Sequence, residues 1–234
     1  MQQIRRAQER GHARLGWLES FHSFSFGSYY DPRHIEFGAL RVINEDRVQA
    51  GTGFGEHGHR DMEIISYVLD GELAHKDSLG NGSTLRAGDV QRMSAGTGVM
   101  HSEFNPSRER PVHFLQIWIR PHTTGLAPGY EQRHVERRQL RGRLCRIVDG
   151  QGRDGALRMQ QDATLYAGLF DSGEQAELPL DPARRTYVHV VRGSLQVDAL
   201  DLQAGDALAL RQASRLLLRH GRNAEVLVFD LPGD

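Results

Sequence analysis

The stretch ISYVLDGEL, residues 65–73, returns in altered form as YVHVVRGSL, residues 187–195. In each, a run rich in β-branched and aromatic residues meets a glycine and a second short apolar segment follows, the pattern of two strands joined at a tight turn. Downstream, LRAGDV (residues 85–90) is echoed by LQAGDA (residues 202–207), in which a Gly-Asp turn opens the next strand. A repeat of this kind constrains architecture more than any single element does. It implies one small antiparallel β-structure written twice.

The rest of the chain keeps the same rhythm. Short apolar runs, FHSFSF, ALRVI, EIISYVL, VHFLQIWI, LCRIV, YVHVV, LLLR and EVLVF, are separated by turn residues, and 26 glycines supply many of those turns. No long segment carries a helical period, so the expected fold is all-β: two antiparallel β-barrels of the jelly-roll type with few short helices. The polar stretch YEQRHVERRQLRGR, residues 130–143, follows Pro121 and Pro128 and reads as a linker or short helix. The expected division is an N-terminal barrel over 1–130, a linker over 131–143 and a C-terminal barrel over 144–234.

Composition narrows the functional classes. The 234 residues carry a formal charge of −1, which gives no reason to expect direct nucleic-acid binding or attraction to an anionic membrane. Only Lys76 among the 29 basic residues is a lysine, a bias ascribed to an arginine-rich coding preference. No run approaches the ~18 apolar residues needed to span a bilayer, and the first residues lack an apolar leader core. A soluble, cytoplasmic, monomeric protein is expected. With Cys145 as the sole cysteine, neither a disulfide within the chain nor a thiolate metal cluster can form, so any metal must be held by histidine and carboxylate.

The candidate for such a site begins at GEHGHRDME, residues 55–63, with His57 and His59 one residue apart and Glu63 four further on. Twelve histidines in this length give roughly half a His-x-His pair by chance, so the pair alone proves nothing. Some 40 residues on, SAGTGVMHSEF (residues 94–104) repeats the spacing with His101 and Glu103. On a strand, side chains at i and i+2 leave the same face about 6.5–7 Å apart, so two such pairs on neighbouring strands can surround one cation. Each pair also follows an Ala-Gly-Thr-Gly run, residues 50–53 and 95–98, that lets the backbone turn tightly before the ligands. Three imidazoles and a carboxylate suit Fe(II), Mn(II), Ni(II), Co(II), Cu(II) or Zn(II) rather than Ca(II) or Mg(II). An octahedral ion held by four side chains would keep two open positions for chemistry, whereas a tetrahedral zinc would be closed and structural.

The spacing Gly51-x5-His57-x-His59-x3-Glu63, followed by His101, resembles the two signature motifs of the cupin superfamily. More closely, GFGEHGHRDMEIISYVLDG, HKDSLGN, SAGTGVMHSEFNPS, QIWI and YEQR resemble the pirin family of two-lobed cupins, densely over the first ~130 residues and through the repeat beyond. That resemblance implies a bicupin fold with one metal, usually iron, in the N-terminal barrel, held at the positions of His57, His59, His101 and Glu103. In cupins at large the first-motif glutamate, here Glu63, is the carboxylate ligand; in pirin-like proteins the second-motif glutamate takes its place. Here seven residues, rather than the general six, separate Glu63 from Gly71, and Glu63 is expected behind the ligands, hydrogen-bonded to an imidazole. Counting through the repeat maps His57, His59 and Glu63 onto Pro179, Asp181 and Arg185, and His101 and Glu103 onto Leu218 and His220. The C-terminal lobe should therefore lack the metal.

The resemblance further implies a metal-dependent dioxygenase of the quercetin 2,3-dioxygenase kind, taking a small aromatic flavonol and O2. Glu103, if bound through one oxygen, would be both ligand and base. An apolar slot for a flat substrate would draw on Phe24, Phe26, Phe54 and Met100, with His22 and Glu63 nearby; for Phe54 and Met100 ordinary core packing is an equal reading, and for His22 a hydrogen-bonded core or rim histidine is the plainer one. His113, Gln116 and Trp118 read as core strand residues, His75, His122 and His134 as solvated, and Cys145 as a small buried hydrophobe. Two competitors are an iron-dependent redox switch that binds a protein partner, and another cupin reaction such as decarboxylation or isomerisation.

Overall fold

The turn-punctuated sequence forms strands over more than half its length in the computed structural model, which describes residues 1–233. In chain order the first twelve are β1 (Gln2–Arg5), β2 (Gly11–Arg14), β3 (Leu18–His22), β4 (Leu40–Val48), β5 (Gly53–His59), β6 (Glu63–Asp70), β7 (Glu72–Asp77), β8 (Gly82–Arg86), β9 (Asp89–Ser94), β10 (Val99–Phe104), β11 (Val112–Ile119) and β12 (Gly129–His134). A four-residue helix α1 (Arg137–Leu140) precedes β13 (Leu144–Asp149), β14 (Leu157–Arg158), β15 (Thr164–Phe170), β16 (Ala176–Pro179), β17 (Arg185–Val197), β18 (Leu200–Gln203), β19 (Ala207–Arg211) and β20 (Arg215–Leu231). The all-β architecture is the one the sequence leads to. Among the described residues no helix is long and apolar enough to cross a membrane.

Two compact units divide the chain. The first holds residues 11–134 and 157–161, and the second holds 1–10, 135–156 and 162–234. This departs from the division at 131–143. Residues 129–134 are not linker but β12, paired with β9 inside the first unit, and only 137–140 of that stretch are helical. At the other end, β1 adds to β19 of the second unit, with Ile4 opposite Leu208. Ile4 packs on that unit's core, and Arg6 Nη1 and Ala7 N donate to the two oxygens of Asp206, at 2.7 and 2.8 Å. Such long-range pairing leaves no local signature.

The first unit is a sandwich of two antiparallel sheets, ordered β12-β9-β6-β11-β4-β3-β2 and β5-β10-β7-β8. Alternation along the strands of the larger sheet sends one set of side chains inward, and the register lines them up in rows across the strands. One row is Leu18–Val48–Val112; the next is Ser20–Asp46–Phe114–Val68; the third is His22–Asn44–Gln116–Ser66–Gln91; the fourth is Val42–Trp118–Ile64–Met93. The end rows join apolar clusters, Leu73 and Leu85 of the smaller sheet packing with Phe114 and Val68 at one end, and Val99 with Ile64 and Met93 at the other. The polar third row between them is buried beneath the smaller sheet. One expected strand is cut short: of FHSFSF only Phe21 and His22 are in β3, because the chain turns at Gly27 (φ 57°) and Phe26 pairs back on Tyr29.

In the second unit β17 and β20 are long bent strands of 13 and 17 residues that carry most of a continuous apolar core. The repeat is visible in detail. Gly88 and Gly205 both have positive φ, and the aspartate after each accepts a backbone N–H from three residues back: Arg86 N to Asp89 Oδ2 at 2.7 Å, and Gln203 N to Asp206 Oδ2 at 3.2 Å.

Candidate metal centre

The smaller sheet of the first unit gathers the chemistry. In β10, His101 lies opposite His57 of β5 and Asp77 of β7, while Glu103 lies opposite His75. Directly opposed residues share a face, so His57, His59, His101, Glu103, His75 and Asp77 all point into the sandwich. A β-bulge between the two pairings shifts Glu103 to sit opposite Phe54, and His57 Nδ1 donates to Gly55 O at 2.8 Å within it. Gly53 permits this approach, since a Cβ there would stand 2.3 Å from Glu103 O. Bulges beside a site commonly re-aim a side chain in this way.

Three imidazoles converge on one point. His101 Nε2 is 3.0 Å from both His59 Nε2 and His57 Nε2. The Nδ1 bond to Gly55 O orients the His57 ring so that its Nε2 faces the other two imidazoles. Burial, reinforced by repulsion from neighbouring imidazoles, lowers His59 to about 4 and His101 to about 3, so both rings are neutral near pH 7. Nitrogens facing one another at this distance can share one cation. Nitrogens bound about 2.0–2.1 Å from one ion at right angles stand about 3 Å apart, so the residues fit a divalent transition metal.

Glu103 stands slightly aside. Its carboxylate groups with His101 and His75, whose ligand atoms lie within 4.8 Å of one another, whereas His57, His59 and His101 form the other such group. The cause is the polar row of the opposite sheet: Gln116 Nε2 donates to Glu103 Oε2 at 2.6 Å and Ser66 Oγ donates to Oε1 at 3.0 Å. Burial raises the Glu103 carboxyl, and the bond from Gln116 opposes that shift. His75, expected to be solvated, is instead buried in β7. Its Nε2 donates to Asp77 Oδ2 at 3.0 Å and its ring lies 5.3 Å from that of His101.

Glu63 corrects another expectation. It is 1% exposed, yet it accepts from Ser94 Oγ at 2.8 Å and from Gln160 N at 3.2 Å rather than from a ligand imidazole. On β6 the inward residues are Ile64, Ser66 and Val68, so Glu63 faces the far side of the sheet. The seven-residue gap to Gly71 is the reason: a gap of six would begin at Ile64, which points inward, and one residue of slip exchanges the faces of a strand.

A cavity of about 310 Å³ opens beside the imidazoles. His57, His59, Glu103, Gln116 and Trp118 line it, and of the residues named for a slot His22, Phe26 and Phe54 are in its wall. Phe24 and Met100 are not: Phe24 is buried in packing, and Met100 points outward, 41% exposed. Trp17, Ser20, Asn44 and Asp46 complete the wall without having been anticipated. For Ser20, Asn44 and Asp46 the signal was present, since each is a polar residue on an inner strand face where alternation calls for an apolar one. His22 has both roles considered for it, lining the cavity while its Nδ1 lies 2.8 Å from Asn44 Oδ1. His113 pairs with Glu45 at 3.0 Å, on the other face of the sheet.

In the second unit, among the described residues, no three histidine, cysteine or acidic side chains bring ligand atoms together. The strand pair β16–β20 places Ala176 opposite Leu218 and Leu178 opposite Leu216, and all four join the apolar core.

Comparison with known proteins agrees with this geometry. Residues 3–119 match the Pirin family model and residues 147–231 match the quercetinase C-terminal cupin domain. The chain is 44% identical over 229 residues, 98% of each chain, to a quercetin 2,3-dioxygenase of Escherichia coli K12. It is 42% identical to a putative quercetin 2,3-dioxygenase of Pseudomonas aeruginosa, covering 94% of this chain and 95% of that one. The crystal structure of the bacterial pirin YhhW of E. coli in complex with nickel(II) superposes with a TM-score of 0.95 at 43% identity, covering all of both chains. A pirin-like cupin sequence, folded as two β-units with a three-histidine centre in the first alone, places this chain in the pirin family.

Proposed function

We propose that this protein is a metal-dependent dioxygenase that opens flavonols of the quercetin type with O2, using His57, His59, His101 and Glu103 to hold Fe(II). The observation that carries the reading is the convergence of three imidazoles, His101 Nε2 lying 3.0 Å from both His57 Nε2 and His59 Nε2, beside a cavity walled by aromatic side chains. Full-length similarity to quercetin 2,3-dioxygenases supports the substrate class. A divalent ion bound there supplies Lewis acidity, making a coordinated phenolic or enolic hydroxyl easier to deprotonate and oxidise.

The chain's own groups do the rest. Glu103, raised by burial, is suited to accept the hydroxyl proton on one oxygen while Gln116 and Ser66 hold the carboxylate in place. Trp118, edge-on to His59 with ring centroids 5.0 Å apart, and Phe26, 5.3 Å from Trp118, bound a slot for a flat ring system and keep water from it.

The test is to load the purified protein anaerobically with Fe(II), Mn(II), Co(II), Ni(II) or Cu(II), add flavonol and air, and follow flavonol absorbance and carbon monoxide release. Consumption well above that of a Glu103→Ala variant, with metal content verified in the wild type, is expected. Rates equal to that control with every metal would remove the assignment.

A further inference from the structure

The cavity wall contains a second polar pole that the metal centre does not use. Asp46 and Ser20, opposite each other on β4 and β3, lie in the row next to His22–Asn44–Gln116, about 7 Å along the strand from the residues that buttress Glu103. Ser20 Oγ donates to Asp46 Oδ1. Both line the cavity, with Trp17 and Phe54, themselves packed edge to face at 5.0 Å, on the same side of it.

Two features say what this pole selects. Although Asp46 is only 3% exposed, the cavity lining contains no Lys or Arg, and its acids are Asp46 and Glu103. Away from the residues that would hold a metal, Asp46 is the one acid among the lining residues, with no basic side chain beside it, so this pole favours neutral groups that donate hydrogen bonds. The surrounding rings meanwhile favour a flat aromatic body. Burial, opposed by the Ser20 bond and reinforced by the Glu103 and Glu45 charges, pushes Asp46 up to about 7. In its ionised form so basic a carboxylate is a strong acceptor for a phenolic hydroxyl.

We infer that Asp46, held by Ser20, is a specificity-determining residue that binds a phenolic hydroxyl on a ring of the substrate other than the one presented to the metal. This selects polyhydroxylated aromatic substrates over unsubstituted ones. The inference rests on the flavonol reading for its substrate, but its test is a binding measurement.

Metal-loaded protein is titrated anaerobically, where no turnover occurs, with quercetin and with 3-hydroxyflavone, which keeps the metal-binding oxygens and lacks the other hydroxyls. Wild type should bind quercetin more tightly. Asp46→Leu should weaken quercetin binding about 10- to 100-fold and 3-hydroxyflavone binding less than about threefold, the loss of one hydrogen bond to a charged group. Asp46→Asn, nearly isosteric, should fall between and decides the matter if the leucine variant does not melt cooperatively. Equal weakening of both probes, no weakening of quercetin, or failure of wild type to bind either would overturn the inference. Selective weakening without turnover in air would uphold Asp46 while removing the dioxygenase assignment.

Discussion

Gln116 Nε2 donates to Glu103 Oε2 across 2.6 Å, joining the middle of β11 in the larger sheet to β10 in the smaller one. An amide on an otherwise apolar strand face thus fixes the carboxylate that groups with His101 and His75. Oriented partners behind metal ligands typically matter 10- to 100-fold.

Gln116→Leu should therefore lower kcat/KM for flavonol by about 10- to 100-fold. It should also cost about 1–3 kcal/mol of stability, because the buried Glu103 oxygen loses its donor. Steady-state kinetics and urea unfolding on the same preparation separate the two effects; unchanged kinetics would show that Ser66 alone suffices to hold Glu103.

His101 is the imidazole that both others approach, at 3.0 Å each. His101→Ala should drop bound metal from about one ion per chain to near none by elemental analysis. It should also abolish the rise in melting temperature that added metal gives the wild type, which at 100 times Kd corresponds to about 2.7 kcal/mol. Retention of full stoichiometry would place the ion elsewhere.

Glu63 separates this chain from cupins whose first-motif glutamate binds the metal. Glu63→Ala leaves the Ser94 hydroxyl and the Gln160 amide without their acceptor. The expected result is destabilisation of about 1–3 kcal/mol with metal content unchanged. Loss of metal without loss of stability would contradict the outward-facing side chain.

Asp46 predicts the sign of a pH effect. Its carboxyl, 3.8 when unperturbed, is raised to about 7, so between those values the folded state binds more protons than the unfolded one. Stability then falls as pH rises through that window, by up to about 1.4 kcal/mol per unit. Asp46→Asn removes the contribution, and its advantage over the metal-free wild type in urea midpoint should grow from pH 5 to pH 8. A constant difference would mean that Asp46 titrates normally.

That the three histidines would meet was legible because their information is local. The i, i+2 spacing, the glycines before each pair and the matched second motif all lie within a few residues, and alternation along a strand carries them directly into a shared face. The same alternation, applied to the seven-residue gap before Gly71, already contained the outward aim of Glu63. His75 was misread because its neighbours in the chain are those of a turn, while its neighbours in space are Asp77 and His101. In the sequence Gln116, Ser66 and Asp46 are single polar exceptions on separate strands. Only antiparallel register sets Gln116 and Ser66 side by side beneath Glu103.

By itself the sequence determined an all-β repeat, a histidine-rich centre confined to the first half, and the identity of three of its imidazoles, since period and spacing survive any rigid placement of the strands. Tertiary structure alone decided which sheet lies over which. With that it decided that Glu103 is held by Gln116 and Ser66, that the first ten residues belong to the second unit, and that Asp46 faces the cavity. These depend on pairings between segments far apart in the chain, whose partners are chosen by burial and hydrogen-bond satisfaction of the whole rather than by any local pattern.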